Sequence, residues 1–207
     1  MFNATAQNTA EFRYVFATMT STMGGGALLM NSTSTLTAST GCQLSTWRAF
    51  PQLGSGSLAL KFVASFTEAP LANQIFEFGS FTHNTGIVAP LDGCYFRFTS
   101  AGLFGYTNFN GTETPTGTSI SAVDVGVNQA HSFRIVINQR QVDFWMDSEL
   151  VGTIVTPSAN GLPDMTVALP CSMQFRNGAL VTGSPVMQAK VYAVRVDQRD
   201  VSLTTLR

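Results

Sequence analysis

Cleaving a glycosidic bond takes two carboxylates about 5–9 Å apart, one to protonate the leaving oxygen and one to attack or to activate water. A strand patterned Glu-x-Asp-x-x-Glu would supply such a pair, and the chain has no such run. Its nearest grouping is Asp143, Asp147 and Glu149. The last two fall in an Asp-Ser-Glu turn and read as solvated hairpin residues. A nucleophile triad needs a histidine beside a Ser, Cys or Thr. His83 lies in a Thr-His-Asn-Thr-Gly loop and His131 opens a strand, and no G-x-S-x-G signature accompanies either. Cys42, Cys94 and Cys171 are odd in number, far apart and without CxxC spacing, so they read as buried thiols rather than a zinc site or a disulfide framework. Asp92, Asp124, Asp147 and Asp164 are too scattered for a calcium loop and suit turns and caps. The sequence therefore predicts no catalytic residue, no metal, no cofactor and no enzyme.

Binding chemistry is better represented. Successive side chains of a strand point to opposite faces. If Phe96, Phe133, Ile135, Phe144 and Met146 face a core, then Tyr95, Arg97, Arg134, Val136, Asp143 and Trp145 face away from it. An outward Trp with a Tyr, two Arg and an Asp has the composition of interface hot spots and of sugar-stacking platforms. Tyr95, Arg97, Arg134, Asp143 and Trp145 are accordingly the candidate interface or ligand face. The plainer reading has the N-terminal segment or a loop lying over them, with Arg97 paired to Asp143.

Strands must hold these residues, and the apolar pattern supplies them. Phe12, Tyr14 and Phe16 alternate with Arg13, Val15 and Ala17 in an early strand. Thr18 to Ser57 is rich in Ser, Thr and Gly, including Gly24-Gly25-Gly26, and reads as an arm or long loops. Residues 1–50 are thus expected to form an N-terminal arm and residues 51–207 the folded domain. Leu58, Leu60, Phe62, Ala64 and Phe66 share one parity, and Pro70 ends their run because proline donates nothing to a central ladder. Further strands follow at Gln74 to Phe81, Cys94 to Phe98 and Leu103 to Phe109, the last closed by the turn dipeptide Asn110-Gly111. Thr112 to Ser119 reads as a mobile or interface-forming loop. His131 to Val155 forms a three-strand meander, and Met165 to Arg176 and Gln188 to Asp197 supply closing strands. About ten to twelve strands are too many for one open sheet. An all-β, two-sheet antiparallel jelly-roll sandwich with an extended N-terminal segment is the expected fold.

The meander, from Phe133-Arg134-Ile135-Val136-Ile137 through Val142-Asp143-Phe144-Trp145-Met146-Asp147 to Val151 and Ile154, resembles the paired strands of laminin G-like and concanavalin A-like sandwiches. Those families place an Asp-Gly turn where this chain has Asp147-Ser148. A second stretch, Asp92-Gly93-Cys94-Tyr95-Phe96-Arg97 followed by Gly102, Phe104-Gly105 and Asn108-Phe109-Asn110-Gly111-Thr112-Glu113, is similar to a pattern of phage and prophage structural proteins. The resemblance spans roughly Gly56 to Asp197 and implies the concanavalin A-like fold. Such sandwiches host lectins, hydrolases and virion proteins alike.

Composition narrows the role. Only 11% of the 207 residues are charged and the formal net charge is -1, against about 25% charged residues in an ordinary soluble domain. Little self-repulsion opposes close packing of copies. With Lys61 and Lys190 the only lysines, no clustered basic surface for nucleic acid is expected. No secretory leader and no run of about 20 apolar residues is visible, so synthesis in a host cytoplasm and no membrane partner are expected. These features, with the phage-like pattern, lead to the expectation of a non-catalytic virion protein. It would be a phage capsid decoration or cement protein that binds the major capsid protein or other virion proteins and neighbouring copies of itself, as in a homo-oligomer such as a trimer. The alternative is a carbohydrate-binding module of a tail or adhesin, with a glycan as partner; a glycan hydrolase is disfavoured by the missing carboxylate pair.

Overall fold

The computed structural model describes residues 9–32, 36–51, 56–138, 140–155, 168–182 and 186–199. In chain order the strands are β1 (Phe12–Ala17), β2 (Thr20–Gly24), β3 (Ala27–Asn31), β4 (Gly41–Pro51), β5 (Ser57–Phe66), β6 (Gln74–Thr82), β7 (Asp92–Thr99), β8 (Gly102–Phe109) and β9 (Thr112–Pro115). One turn of helix, α1 (Ala122–Val125), precedes β10 (His131–Ile137), β11 (Gln141–Met146), β12 (Glu149–Val155), β13 (Ala168–Asn177) and β14 (Gln188–Arg199). They build two seven-stranded sheets, ordered β1-β4-β13-β6-β7-β8-β9 and β12-β11-β10-β5-β14-β3-β2. Neighbouring strands are antiparallel throughout, and the sheets stack face to face as a jelly-roll sandwich.

Period-two alternation explains the layering. In β5, Leu58, Leu60, Phe62, Ala64 and Phe66 are buried while Lys61 is exposed. Phenylalanines fill the middle. Phe78 of the first sheet meets Phe62 and Phe133 of the second, ring centroids 5.3 and 5.1 Å apart and edge to face, the geometry that aromatic quadrupoles favour. Cys42, Cys94 and Cys171 are buried free thiols, and burial pushes Cys42 and Cys171 up to about 12.

Two expectations are corrected. The stretch expected to be an arm supplies β1 to β4, which enter both sheets; residues 1–8 and 33–35 lie outside the described residues. Thr20 and Thr22 are outward residues of β2, to which β structure is hospitable, while Met19, Leu28, Met30, Cys42 and Leu44 face the core. Gly25 and Gly26, at φ 60° and 76°, make the tight turn between β2 and β3 that positive φ at both positions requires. The loop expected at Thr112 to Ser119 begins as β9 and continues in fixed bonds: Thr116 Oγ1 donates to the Thr118 carbonyl at 2.7 Å and Thr118 Oγ1 to that of Val151 at 2.6 Å. Part of the closing strand expected from Met165 falls outside the described residues, and β13 begins at Ala168.

The meander is β10 to β12. Its second turn holds Asp147 and Ser148 at φ 48° and 78°. The Asp147 carboxylate accepts from Ser132 N at 2.8 Å and meets His131 Nδ1 at 2.5 Å, so His131 clamps a turn. Serine in a left-handed conformation costs roughly 1–2 kcal/mol that glycine avoids. Ser148→Gly is therefore expected to raise Tm by about 2–8 °C in a domain of this size. A fall in thermal unfolding followed by circular dichroism would contradict this.

Candidate functional site

The structure separates the five residues expected to share a face. Tyr95 and Arg97 lie on β7, on the outer face of the first sheet; Arg134, Asp143 and Trp145 lie on β10 and β11, on the outer face of the second. Parity alone assigns a residue to the side away from the core, and a sandwich has two such sides. Arg97 accordingly does not meet Asp143. The Asp143 carboxylate instead accepts from Gln141 Nε2 at 3.0 and 3.1 Å and from Thr153 Oγ1 at 2.7 Å.

On the first sheet, register lines up Val15, Gln43, Gln174, Glu77 and Arg97 across β1, β4, β13, β6 and β7. Glu77 is fully buried. Arg97 Nη2 lies 2.6 Å from one of its oxygens and Arg176 Nε donates to the other at 2.9 Å; Gln174 Nε2 donates to it as well. Burial alone would raise the Glu77 pKa, but the charges of Arg176 and Arg97 outweigh it and hold the carboxyl below its ordinary value. Arg97 also grips Glu113 with two bonds of 2.7 and 2.5 Å, and Tyr95 donates its hydroxyl to Glu113 at 2.7 Å. The Arg97 guanidinium lies 4.4 Å from the centre of the Tyr106 ring, which stacks on Tyr95. This network was absent from the sequence reading except for Tyr95 and Arg97.

Residues 83–91 run over it as a strap. Gln43 Nε2 donates to the Gly86 carbonyl at 3.1 Å, Gln174 Nε2 to that of Val88 at 3.0 Å, and Asn108 Nδ2 to that of Pro90 at 2.7 Å. Backbone bonds from Leu91 N to Thr82 and from Gly111 N to Leu91 fix its far end. Ile87 packs over Gly41, where a Cβ would stand 2.6 Å from the Ile87 side chain, so glycine makes the seat. Tyr95 and Arg97 are thereby covered, at 0% and 9% exposure.

Beside the strap the face opens. A cleft of about 520 Å³ is lined by the polar groups of Arg13, Gln43, Ser45, His83, Asn84 and Thr85 over an apolar floor that includes Val15 and Ile87. Burial lowers the His83 pKa more than its neighbours raise it, so the ring is neutral near pH 7. Its Nδ1 faces Gln174 Oε1 and its Nε2 the Leu44 carbonyl, each at 3.3 Å; a neutral ring donates to one of them only. Trp47 stands two residues beyond Ser45 on β4, hence on the same face. Its indole donates to the Thr9 carbonyl at 3.0 Å and remains 62% exposed. The sequence reading placed Trp47 in the arm and so missed it. Among the described residues no three His, Cys, Asp or Glu side chains gather to hold a metal.

No protein-family model and no curated protein matches the chain. Solved structures do. One, described with the endo-acting O-glycanases by which members of the human gut microbiota initiate mucin breakdown, superposes with a TM-score of 0.67 over 96% of this chain and 97% of its own, at 13% identity. The carbohydrate recognition domain of Emp47p gives 0.61 over 97% and 93% at 11% identity. An alginate lyase from Corynebacterium sp. gives 0.58 over 86% and 80% at 10% identity. At such identities the likeness is one of fold, a two-sheet antiparallel jelly-roll sandwich.

Proposed function

We propose that the protein is a carbohydrate-binding sandwich whose ligand lies in the cleft between β1, β4 and the strap. The carrying observation is Trp47, an exposed indole on the same strand face as the Gln43 and Ser45 that line the cleft. A sugar ring offers an apolar C–H face and a rim of hydroxyls, so an aromatic plate beside amides, a guanidinium and hydroxyls is the complementary surface. The carbohydrate recognition domain and the glycan-degrading enzymes that share this fold support the same reading.

The reading is non-catalytic. Glu77, the carboxylate nearest the middle of this face, is sealed from solvent and kept ionised by two arginines, so it has no proton to give near neutral pH. Burial keeps the Tyr95 hydroxyl protonated and its proton already goes to Glu113. These groups act as a rigid floor for the strap. The expectation of a capsid cement protein draws on low charge and a sequence pattern, and we put glycan binding in its place because fold relatives and an open cleft both favour it.

A glycan array of the intact chain tests this. One class of neutral glycan should bind, and titration should show Trp47→Ala weakening it tenfold or more, a loss of about 1.4 kcal/mol, with Arg13→Ala weakening it too. Undiminished binding of every neutral glycan by Trp47→Ala would overturn the assignment.

A further inference from the structure

The outer face of the second sheet carries a different pattern. Register sets Trp145 of β11 opposite Arg134 of β10, Arg134 opposite Lys61 of β5, and Lys61 opposite Arg195 of β14. Strands lie about 4.8 Å apart, so the three cations stand within about 10 Å. All three are exposed. The chain has only 11 Lys and Arg, and two of them, Arg97 and Arg176, are buried against Glu77. Three in one row is thus a concentration of charge.

Like charges directly opposite one another destabilise a sheet, so the row does nothing for folding. The acids of this face offset only part of it. Asp197 pairs with Arg195 at 2.7 Å, while Asp143 is held by Gln141 and Thr153. Among the described residues no ion pair includes Lys61 or Arg134. Small side chains, Ser57 and Ala59 beside Val136, leave a depression of about 280 Å³ rimmed by Lys61, Arg134 and the Arg195–Asp197 pair.

We propose that this row is a second binding face, for an acidic polysaccharide: its carboxylate or sulfate groups lie on Lys61 and Arg134, and a sugar ring lies against Trp145. The guanidinium fork matches either anion bidentately. The adjoining indole selects a sugar-borne anion over a bare polyanion, because it offers a plate for the ring that carries the charge. The site is independent of the cleft, which lies across the core on the other sheet.

The test is retention of the full-length protein on immobilised polyuronate and sulfated galactan, with neutral galactan as control. Retention on the acidic chains alone is expected, falling as salt is raised. Lys61→Gln combined with Arg134→Gln, and separately Trp145→Ala, should each weaken it tenfold or more, while Trp47→Ala leaves it unchanged. The paired Gln variant should also melt no lower than the wild type, since it relieves a repulsion. Wild-type retention by that variant overturns the proposal. So does equal retention on polyglutamate that Trp145→Ala leaves untouched, which would assign the face to polyanions in general.

Discussion

Glu77→Gln is expected to cost about 3–5 kcal/mol, a large part of the roughly 5–15 kcal/mol that holds a domain together. The substitution keeps the shape of the side chain and removes its charge. Two largely buried guanidiniums, on Arg97 and Arg176, then lose the carboxylate that both contact. Arg97 retains Glu113, whereas Glu77 is the ion-pair partner of Arg176 among the described residues. Gln174, which ties Glu77 to the strap at Val88, loses an anionic acceptor at the same time. Acid gives a second signature. The native Glu77 pKa lies below its ordinary 4.5, so the unfolded chain takes up the proton first as pH falls. The stability this carboxylate contributes is therefore complete above about pH 4.5 and is lost as pH drops through the native value. Glu77→Gln has no such proton to bind, and its denaturant midpoint should fall less steeply below pH 4.5 than that of the wild type. Urea unfolding at neutral and acid pH reads both effects. A loss under about 1 kcal/mol with unchanged acid dependence would show that the network does not support the sheet.

Phe78→Ala, one residue further along β6 and facing the opposite way, should cost a similar 3–5 kcal/mol for a different reason. Phe78 is fully buried and touches Phe76 and Phe96 in its own sheet and Phe62 and Phe133 across the core, at 5.1 to 5.5 Å between ring centres. Truncation removes one ring from four aromatic pairs and leaves a cavity between two sheets whose hydrogen-bonded ladders prevent collapse. No titrating group is involved, so the loss should be the same at neutral and acid pH. An unchanged m-value with a lowered midpoint would identify it as loss of native packing. A cost below about 2 kcal/mol would mean that the surrounding rings close the gap.

These neighbouring residues also show what was legible in the sequence. The alternation through Leu58, Leu60, Phe62, Ala64 and Phe66, and through Phe133, Ile135, Phe144 and Met146, gave the strands and their inward faces, because a period of two is a local property. The sheet to which a strand belongs is not local. Tyr95 and Trp145 have the same parity and lie on opposite sides of the molecule, since β7 and β11 are in different sheets. Glu77 carried a signal of its own: in Ile75-Phe76-Glu77-Phe78 it is a charge on the outward parity of an otherwise apolar run, in a chain with few charges. Its partner Arg176 lies almost a hundred residues away, and nothing in the spacing announces that pairing. The Ser- and Thr-rich stretch before Pro51 concealed strands because its core residues are few and mostly Met, Leu and Cys, without the aromatic density of the later strands. Trp47 was hidden by the same misreading.

The most direct measurement of the central claim is a crystal structure of the protein with the tightest-binding neutral glycan from the array. The sugar should lie in the cleft beside β1 and β4, a ring against Trp47 and hydroxyls on Arg13, Ser45 and Asn84, with the strap and the Glu77 network unmoved. An empty cleft with the glycan bound elsewhere on the molecule would contradict the account.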